Sequence, residues 1–344
     1  MMKHPPLKEL FLMRMRELFR TPETIFWVYG FPILLAIGLG IAFRNHPQDK
    51  IYVDIEQHST AQQLKLKLDS LGDFVVEIRS HKECADRLRL GKTSIFLMPG
   101  ATYTYRYDPT RPESALARTR LDDVLQRAVG RHDVVPTLES QVTEPGARYI
   151  DFLIPGLLGM NLMGGGMWGV GYVIVDMRVR KLLKRLVATP MRRSHLLLSI
   201  VGARLAFMFP ELALLLATGI LLFDMRIHGN LAAIVTVSVL GAFSFSGLGL
   251  LVACRAQKIE TISGLMNLVM LPMYLLSGVF FAAERFPASL QPLVQALPLT
   301  QLNNALRAVI LEGSPLTSQS LSLSLLAAWG GVSFLLALRW FRWN

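Results

Sequence analysis

The sequence predicts an α-helical integral membrane protein with six transmembrane helices and an extracytoplasmic α/β domain inserted between helices one and two. Three observations carry that expectation. The 344 residues are 52% hydrophobic with a mean hydropathy of +0.39, and the apolar residues gather into runs near the roughly 20 needed to cross a bilayer. The net charge of +11 is most concentrated beside those runs, in Met177 to His195, MRVRKLLKRLVATPMRRSH. Between 44 and 148, charges of both signs return in near balance and the apolar segments become short. In a soluble chain a pI near 9.9 would point to nucleic acid, but cations flanking apolar spans point to a lipid bilayer, and nucleic acid is not expected as a partner.

Taken in order, residues 1–24 place Leu7, Leu10, Phe11, Met15, Leu18 and Phe19 largely along one helical side, with Lys3, Lys8, Arg14, Arg16 and Arg20 around it. That pattern predicts a helix lying on the cytosolic face of the membrane. Residues 25–43 carry no charge until the chain leaves them, and form the first span, with Pro32 as a kink. A cleaved signal peptide is disfavoured, because the leader is long and no small-x-small site follows.

Within 44–148, Ile51 to Ile55, Phe74 to Ile78, Ser94 to Met98 and Tyr103 to Tyr107 read as strands. Ala61 to Leu71, His81 to Leu90 and Glu113 to Val129 read as helices. Residues 149–344 then form the helical bundle. Its spans are expected at Asp151 to Val175, Leu196 to Phe223, Leu231 to Ala253, Ile262 to Ala283 and Leu316 to Leu338. The stretch 284–315, with Pro287, Pro292, Pro298 and Pro315, is an outer segment apolar enough to dip partly into the membrane.

Orientation follows from charge. Short loops rich in Lys and Arg stay on the cytosolic face. The loop 177–195 holds Arg178, Arg180, Lys181, Lys184, Arg185, Arg192 and Arg193 with no acid among them, whereas the short outer segments contribute Arg226, Arg285 and Arg307. Both termini are therefore expected in the cytoplasm, and Cys84 and Cys254 fall on opposite sides, where no disulfide joins them. Inside the loop, Val179, Leu182, Leu183 and Leu186 repeat at helical spacing, which predicts one short amphipathic helix ended by Thr189 and Pro190.

Two nucleotide-binding patterns fail on context. Gly164, Gly166 and Gly169 fit G-x-G-x-x-G but lie in mid-span, with no strand before them. Gly91-Lys92-Thr93 lacks the earlier glycine of a phosphate loop and runs from helix to strand, the reverse of that loop. No catalytic constellation and no metal cluster is expected, and no cofactor. Gly165 and Gly169, four residues apart, read as a close helix contact. Arg204 and Glu211 are the charges deep in a span; seven residues apart, they share a face about 10 Å apart along the axis. Either Arg204 reaches the inner head groups while Glu211 bonds a neighbouring helix, or the two serve a substrate path.

Several stretches together resemble the ABC-2 type transporter permeases, the membrane subunits of ATP-binding-cassette exporters. They are Leu186-Val187-Ala188-Thr189-Pro190-Met191 after a basic helix, and Asn267, Pro272, Leu276-Ser277-Gly278, Phe280-Phe281 and Phe286-Pro287. Leu297-Pro298-Leu299-Thr300 and Leu306-Arg307 follow them. In the outer domain the matches are Val53-Asp54, Phe74, Leu88-x-x-Gly91 and Met98-Pro99. Where many members carry an acid and a Gly-Thr-Glu run in the inner loop, this chain has Arg180-Lys181-Leu182-Leu183-Lys184.

The resemblance implies export across a bacterial inner membrane, with ATP bound and hydrolysed by a separate cytosolic ATPase subunit. Coupling would fall to Arg178, Arg180, Lys181, Lys184, Arg185, Thr189 and Pro190. A second permease chain, identical or paralogous, would face the first. The translocation path or its helix packing would involve Gly165, Gly169, Arg204, Glu211, Asn267, Pro272, Ser277 and Gly278, and the outer domain would meet substrate or a periplasmic adaptor. A membrane receptor or scaffold is the competing expectation, and an ion-coupled transporter a weaker one, since Glu211 alone qualifies as an intramembrane carboxylate.

Overall fold

The computed structural model describes residues 6–42, 50–100, 102–132, 148–188 and 193–341. The chain divides into two compact units, one of residues 1–44 with 143–344 and the other of residues 45–142.

Among the described residues the larger unit is all helical, and six of its helices are long and apolar enough to cross a membrane. They are span one (Pro22–Ala42), span two (Tyr149–Val179), span three (His195–Phe223), span four (Leu231–Ala253), span five (Ile259–Leu276) and span six (Leu316–Trp340). With that many apolar helices the chain is a multi-pass membrane protein. Before span one, α1 (Pro6–Phe19) packs along span three, with Leu10 buried and Phe11 lying over Gly202.

The smaller unit is built around a four-stranded sheet in the order β2-β1-β3-β4. The chain runs β1 (Ile51–Glu56), α2 (Ala61–Asp69), β2 (Phe74–Arg79), α3 (His81–Arg89), β3 (Ile95–Met98), β4 (Thr104–Arg106) and α4 (Pro112–Ala128). β1 pairs in parallel with β2 and β3, and β3 pairs antiparallel with β4. Alternation along β1 sorts the two faces: Val53 and Ile55 join Leu64 and Leu68 of α2 and Leu121 and Leu125 of α4 in one core. Asp54 points to the other face, where the Arg87 Nε of α3 donates to it at 2.8 Å. Ser80 and Glu83 close a capping box that starts α3.

Three details of the bundle depart from the periodicity. The helix of span two does not stop at Val175 but runs on to Val179, and Lys181, at φ 59, then breaks it in the left-handed region. The stripe of Val179, Leu182, Leu183 and Leu186 is thus divided between span two and a separate helix, α5 (Leu182–Val187). Leu183 is buried while Val179 and Leu182 are exposed, which the break permits and a continuous helix would not. Span five ends at Leu276, not Ala283, because Gly278 adopts φ +71 just beyond its end.

The third departure concerns the stretch after span five. A short helix, α6 (Gln291–Ala296), precedes α7 (Pro298–Glu312), and α7 is a core element of the bundle. Leu299, Leu302, Leu306, Val309 and Ile310 are fully buried. Arg307 belongs to this helix, so it is a half-buried charge on the bundle and not one of a solvated loop.

Candidate functional site

Two places gather the residues that carry chemistry. The first lies where α1 meets the end of span two. There a groove of about 530 Å³ is lined by Glu9, Arg14, Arg16, Glu17, Arg20, Asp176, Arg180 and neighbouring apolar atoms. Arg14 donates from Nη2 to Met177 Sδ at 2.6 Å, a contact between α1 and span two, and pairs within α1 with Glu17 at 2.5 Å. Arg180 pairs with Asp176 one turn back at 2.9 Å and leaves most of its side chain in solvent.

Beyond the groove, Lys181, Lys184 and Arg185 stand exposed around the short α5. Thr189 and Pro190 lie outside the described residues. Arg178 behaves differently from its neighbours. Its guanidinium turns inward and donates to the carbonyls of Ala253 (3.0 Å), Cys254 (3.3 Å) and Ala256 at the end of span four. It also lies 5.4 Å from the centroid of the Phe341 ring, just beyond span six.

The second place is the interior of the bundle. Arg204 and Glu211 pair with each other, Nη1 to Oε2 at 2.7 Å, and both are almost wholly buried. The extended Arg204 side chain covers the two helical turns between them, so neither the head groups nor a carboxylate bond to another helix is involved. Arg204 Nη2 also donates to the Asn161 carbonyl of span two at 3.3 Å. Asn161 in turn donates from Nδ2 to Val28 O in span one at 3.0 Å. That acceptor is explained by sequence: Pro32 has no N–H for the carbonyl four residues before it, and the helix widens into a π turn over Phe26–Gly30. Tyr29 donates its hydroxyl to Phe207 O in span three at 3.3 Å.

Gly165 serves this network rather than a helix contact. A Cβ there would stand 1.9 Å from Arg204 Cζ, whereas at Gly169 the nearest atom would be Arg204 Cδ at an ordinary 3.6 Å. Backbone-to-backbone approach instead falls to Gly166 and Gly171 of span two against span four, where a Cβ on Gly171 would be 2.5 Å from Gly249 O.

At the opposite end of span two a second cation is half-buried. Arg307 of α7 donates to Phe152 O at 3.3 Å and to Gly278 O, and its guanidinium lies 3.6 Å over the Phe152 ring. One turn earlier, Asn303 donates to Ser277 O at 2.8 Å. The two side chains, at i and i+4 on α7, therefore hold the carbonyls of the turn just after span five. Ser277 and Gly278 are buried within this turn.

Asn267 and Pro272, by contrast, are exposed on span five, in line with Gly264, which has open space before it. Sequence reasoning missed Asn161, Asn303 and the role of Arg307 on the bundle. The signal for the last two was present: a polar pair four residues apart on one face of an otherwise apolar segment. Among the described residues, no group of three or more His, Cys, Asp or Glu is arranged to hold a metal ion.

Comparison with known proteins fits this architecture. A 208-residue stretch is 27% identical to ABC transporter G family member 20 of Dictyostelium discoideum, covering 60% of this chain and 27% of that protein. A 101-residue stretch is 31% identical to Nodulation protein J of Rhizobium meliloti (strain 1021), covering 29% of this chain and 38% of that protein. The chain thus spans well under half the length of these relatives. Residues 22–339 match the family model described as ABC-2 family transporter protein, from the start of span one to the end of span six. The chain belongs to the ABC-2 family of transporter proteins.

Proposed function

We propose that the chain is the permease subunit of an exporter in a bacterial inner membrane, driven by ATP hydrolysis in a separate nucleotide-binding subunit. The observation that carries this reading is the groove between α1 and residues 176–182, together with the exposed Lys184 and Arg185 beside it. A mixed-charge groove flanked by a cationic helix suits a partner helix of complementary, largely acidic surface. The loop 177–195 and both termini lie on the cytosolic side in this reading, by the density of Lys and Arg.

A second permease chain completes the path. Asn267 sits exposed in mid-span, and an amide left facing hydrocarbon costs several kcal/mol, about 4–8 on an alkane scale. It is better served by a facing chain or a hydrated path. We place that path along the exposed face of span five, past Gly264, Asn267 and Pro272. The sheet-bearing unit lies on the outer side, where it receives substrate or an adaptor protein.

The test is affinity purification of the tagged chain from its native membrane, with mass spectrometry and an ATPase assay. A stoichiometric subunit bearing a phosphate loop is expected, and Lys184→Glu with Arg185→Glu should reduce its recovery at least tenfold while the chain still inserts. Purification without any ATPase under gentle conditions would overturn the reading and leave a receptor or scaffold.

A further inference from the structure

Resting on the reading above, we propose that Arg178 is a positioning residue that transmits movement of the ATPase-facing helix α5 to spans four and six. It touches neither nucleotide nor the docking surface. Arg178 stands three residues before Lys181, the left-handed break after which α5 begins. The break by itself would let α5 swing without moving the bundle. Backbone hydrogen bonds bridge that position, Lys181 N donating to Arg178 O at 3.0 Å and Arg185 N of α5 to Lys181 O at 3.4 Å, so displacement of α5 reaches Arg178.

From there the guanidinium fork grips three carbonyls at the end of span four: Ala253, Cys254 and Ala256. A helix C-terminus at a membrane surface has water available for its last carbonyls, so satisfaction alone does not require an arginine. A planar fork with five donors gives one fixed geometry that water or an ammonium does not. Span six enters the same knot, since the Phe341 ring lies under Arg178 at 5.4 Å and Arg255 lies over Trp340 at 6.0 Å.

Higher up, spans two, four and six are joined by backbone seams. A Cβ on Gly249 would be 2.5 Å from Gly166 O of span two, and one on Gly247 would be 2.8 Å from Gly330 O of span six. Below those seams Arg178 carries the link. Spans two, four and six then respond to α5 as one block.

The test uses the chain bound to its co-purified ATPase, with Cys84 and Cys254 replaced by Ser. Nitroxide pairs at Ala188→Cys/Leu198→Cys and Gln257→Cys/Leu198→Cys report α5 and the end of span four against span three. With ATP and vanadate, both distance distributions should shift in the otherwise wild-type chain, on the order of 2 Å or more. In Arg178→Gln the first should shift and the second should not, with ATPase recovery unchanged.

A Gln257 shift that survives in Arg178→Gln overturns the proposal. Should that variant fail to insert, Arg178→Lys keeps the charge but loses the fork, and a full wild-type Gln257 shift there overturns it equally. If neither pair shifts even without the Arg178 substitution, the failure lies with the ATPase-driven reading and not with Arg178.

Discussion

Gly165 and Gly169 form a four-residue small-residue pair in span two, and substituting each by alanine separates two accounts of why they are there. If both serve close helix packing, both substitutions should cost similar amounts. The geometry demands an asymmetry. A methyl at 165 would come within 1.9 Å of Arg204 Cζ and 2.0 Å of Nη2, while at 169 it meets Cδ at 3.6 Å. The guanidinium must then leave its 2.7 Å contact with Glu211, whose side chain is 2% exposed.

Breaking a buried ion pair so that one charge stays unpaired costs roughly 3–5 kcal/mol. Alanine returns about 1 kcal/mol of helix propensity over glycine, leaving a net loss of about 2–4 kcal/mol. At about 2–4 °C per kcal/mol for a domain of this size, Gly165→Ala should lower Tm by about 5–15 °C. Gly169→Ala should leave it unchanged or raise it slightly.

The assay is the fraction of purified protein that stays monodisperse in detergent after heating. It should be repeated with Arg204→Met and Glu211→Leu together, an apolar replacement of the pair. In that background the loss at Gly165 should shrink by at least half, because a flexible thioether can yield where a paired guanidinium cannot. Equal losses at 165 and 169, or an undiminished loss in the apolar background, would refute the reasoning.

Three further expectations follow from the same structure. Arg307→Met removes charged hydrogen bonds to Phe152 O and Gly278 O, each worth about 1.5–3 kcal/mol, so a Tm decrease of at least 5 °C by the same heating assay is expected. Gly278→Ala should lower Tm too, because φ +71 disfavours a side chain and the left-handed region costs about 1–2 kcal/mol; Gly264→Ala, facing open space, is the neutral control. In the sheet-bearing unit, burial pushes the Cys84 thiol up to about 11, and only the thiolate reacts. In a Cys254→Ser chain, iodoacetamide should therefore label Cys84 at least a hundredfold more slowly at pH 8 than after denaturation, the rate rising about tenfold per pH unit toward 11. Fast labelling at pH 8 would mean the thiol is not buried in the folded chain.

How much of this was legible depended on how local each signal was. Six spans follow from apolar runs alone, and the sheet-bearing unit from its short apolar segments set among charges of both signs. The break at Lys181 was not legible, because a lysine at φ 59 carries no mark that a glycine would, and the apolar stripe continued across it. The end of span five was over-extended for a similar reason: Val279, Phe280 and Phe281 remain apolar after Gly278 has turned the chain. Arg307 was assigned to the outer segment because charge argues for solvent, and only the fold brings Phe152 O and Gly278 O to it. The Arg204–Glu211 spacing correctly placed both on one face, yet the axial 10 Å hid a direct contact, since a fully extended arginine nearly covers that distance.

These corrections share one element. Arg178 issues from span two, Arg204 donates to Asn161 O of span two, and Arg307 donates to Phe152 O of span two. The glycines of that helix divide accordingly. Gly165 is cut away for Arg204, Gly159 for Asn303, whose Oδ1 would stand 1.9 Å from a Cβ, and Gly156 for Val279 O and Arg307 Nη2. Gly166 and Gly171 admit the backbone of span four. A helix that is only a lipid-facing anchor has no reason to carry sockets for three polar side chains from two other elements. Charge inside a membrane is tolerated where it is paired or meets fixed acceptors, and Arg204 and Arg307 each find one of their acceptors on span two. Displacing that helix along its axis would break acceptors for Arg204 and Arg307 together. The bundle therefore resists partial shifts of span two and favours moving it only with the elements that grip it.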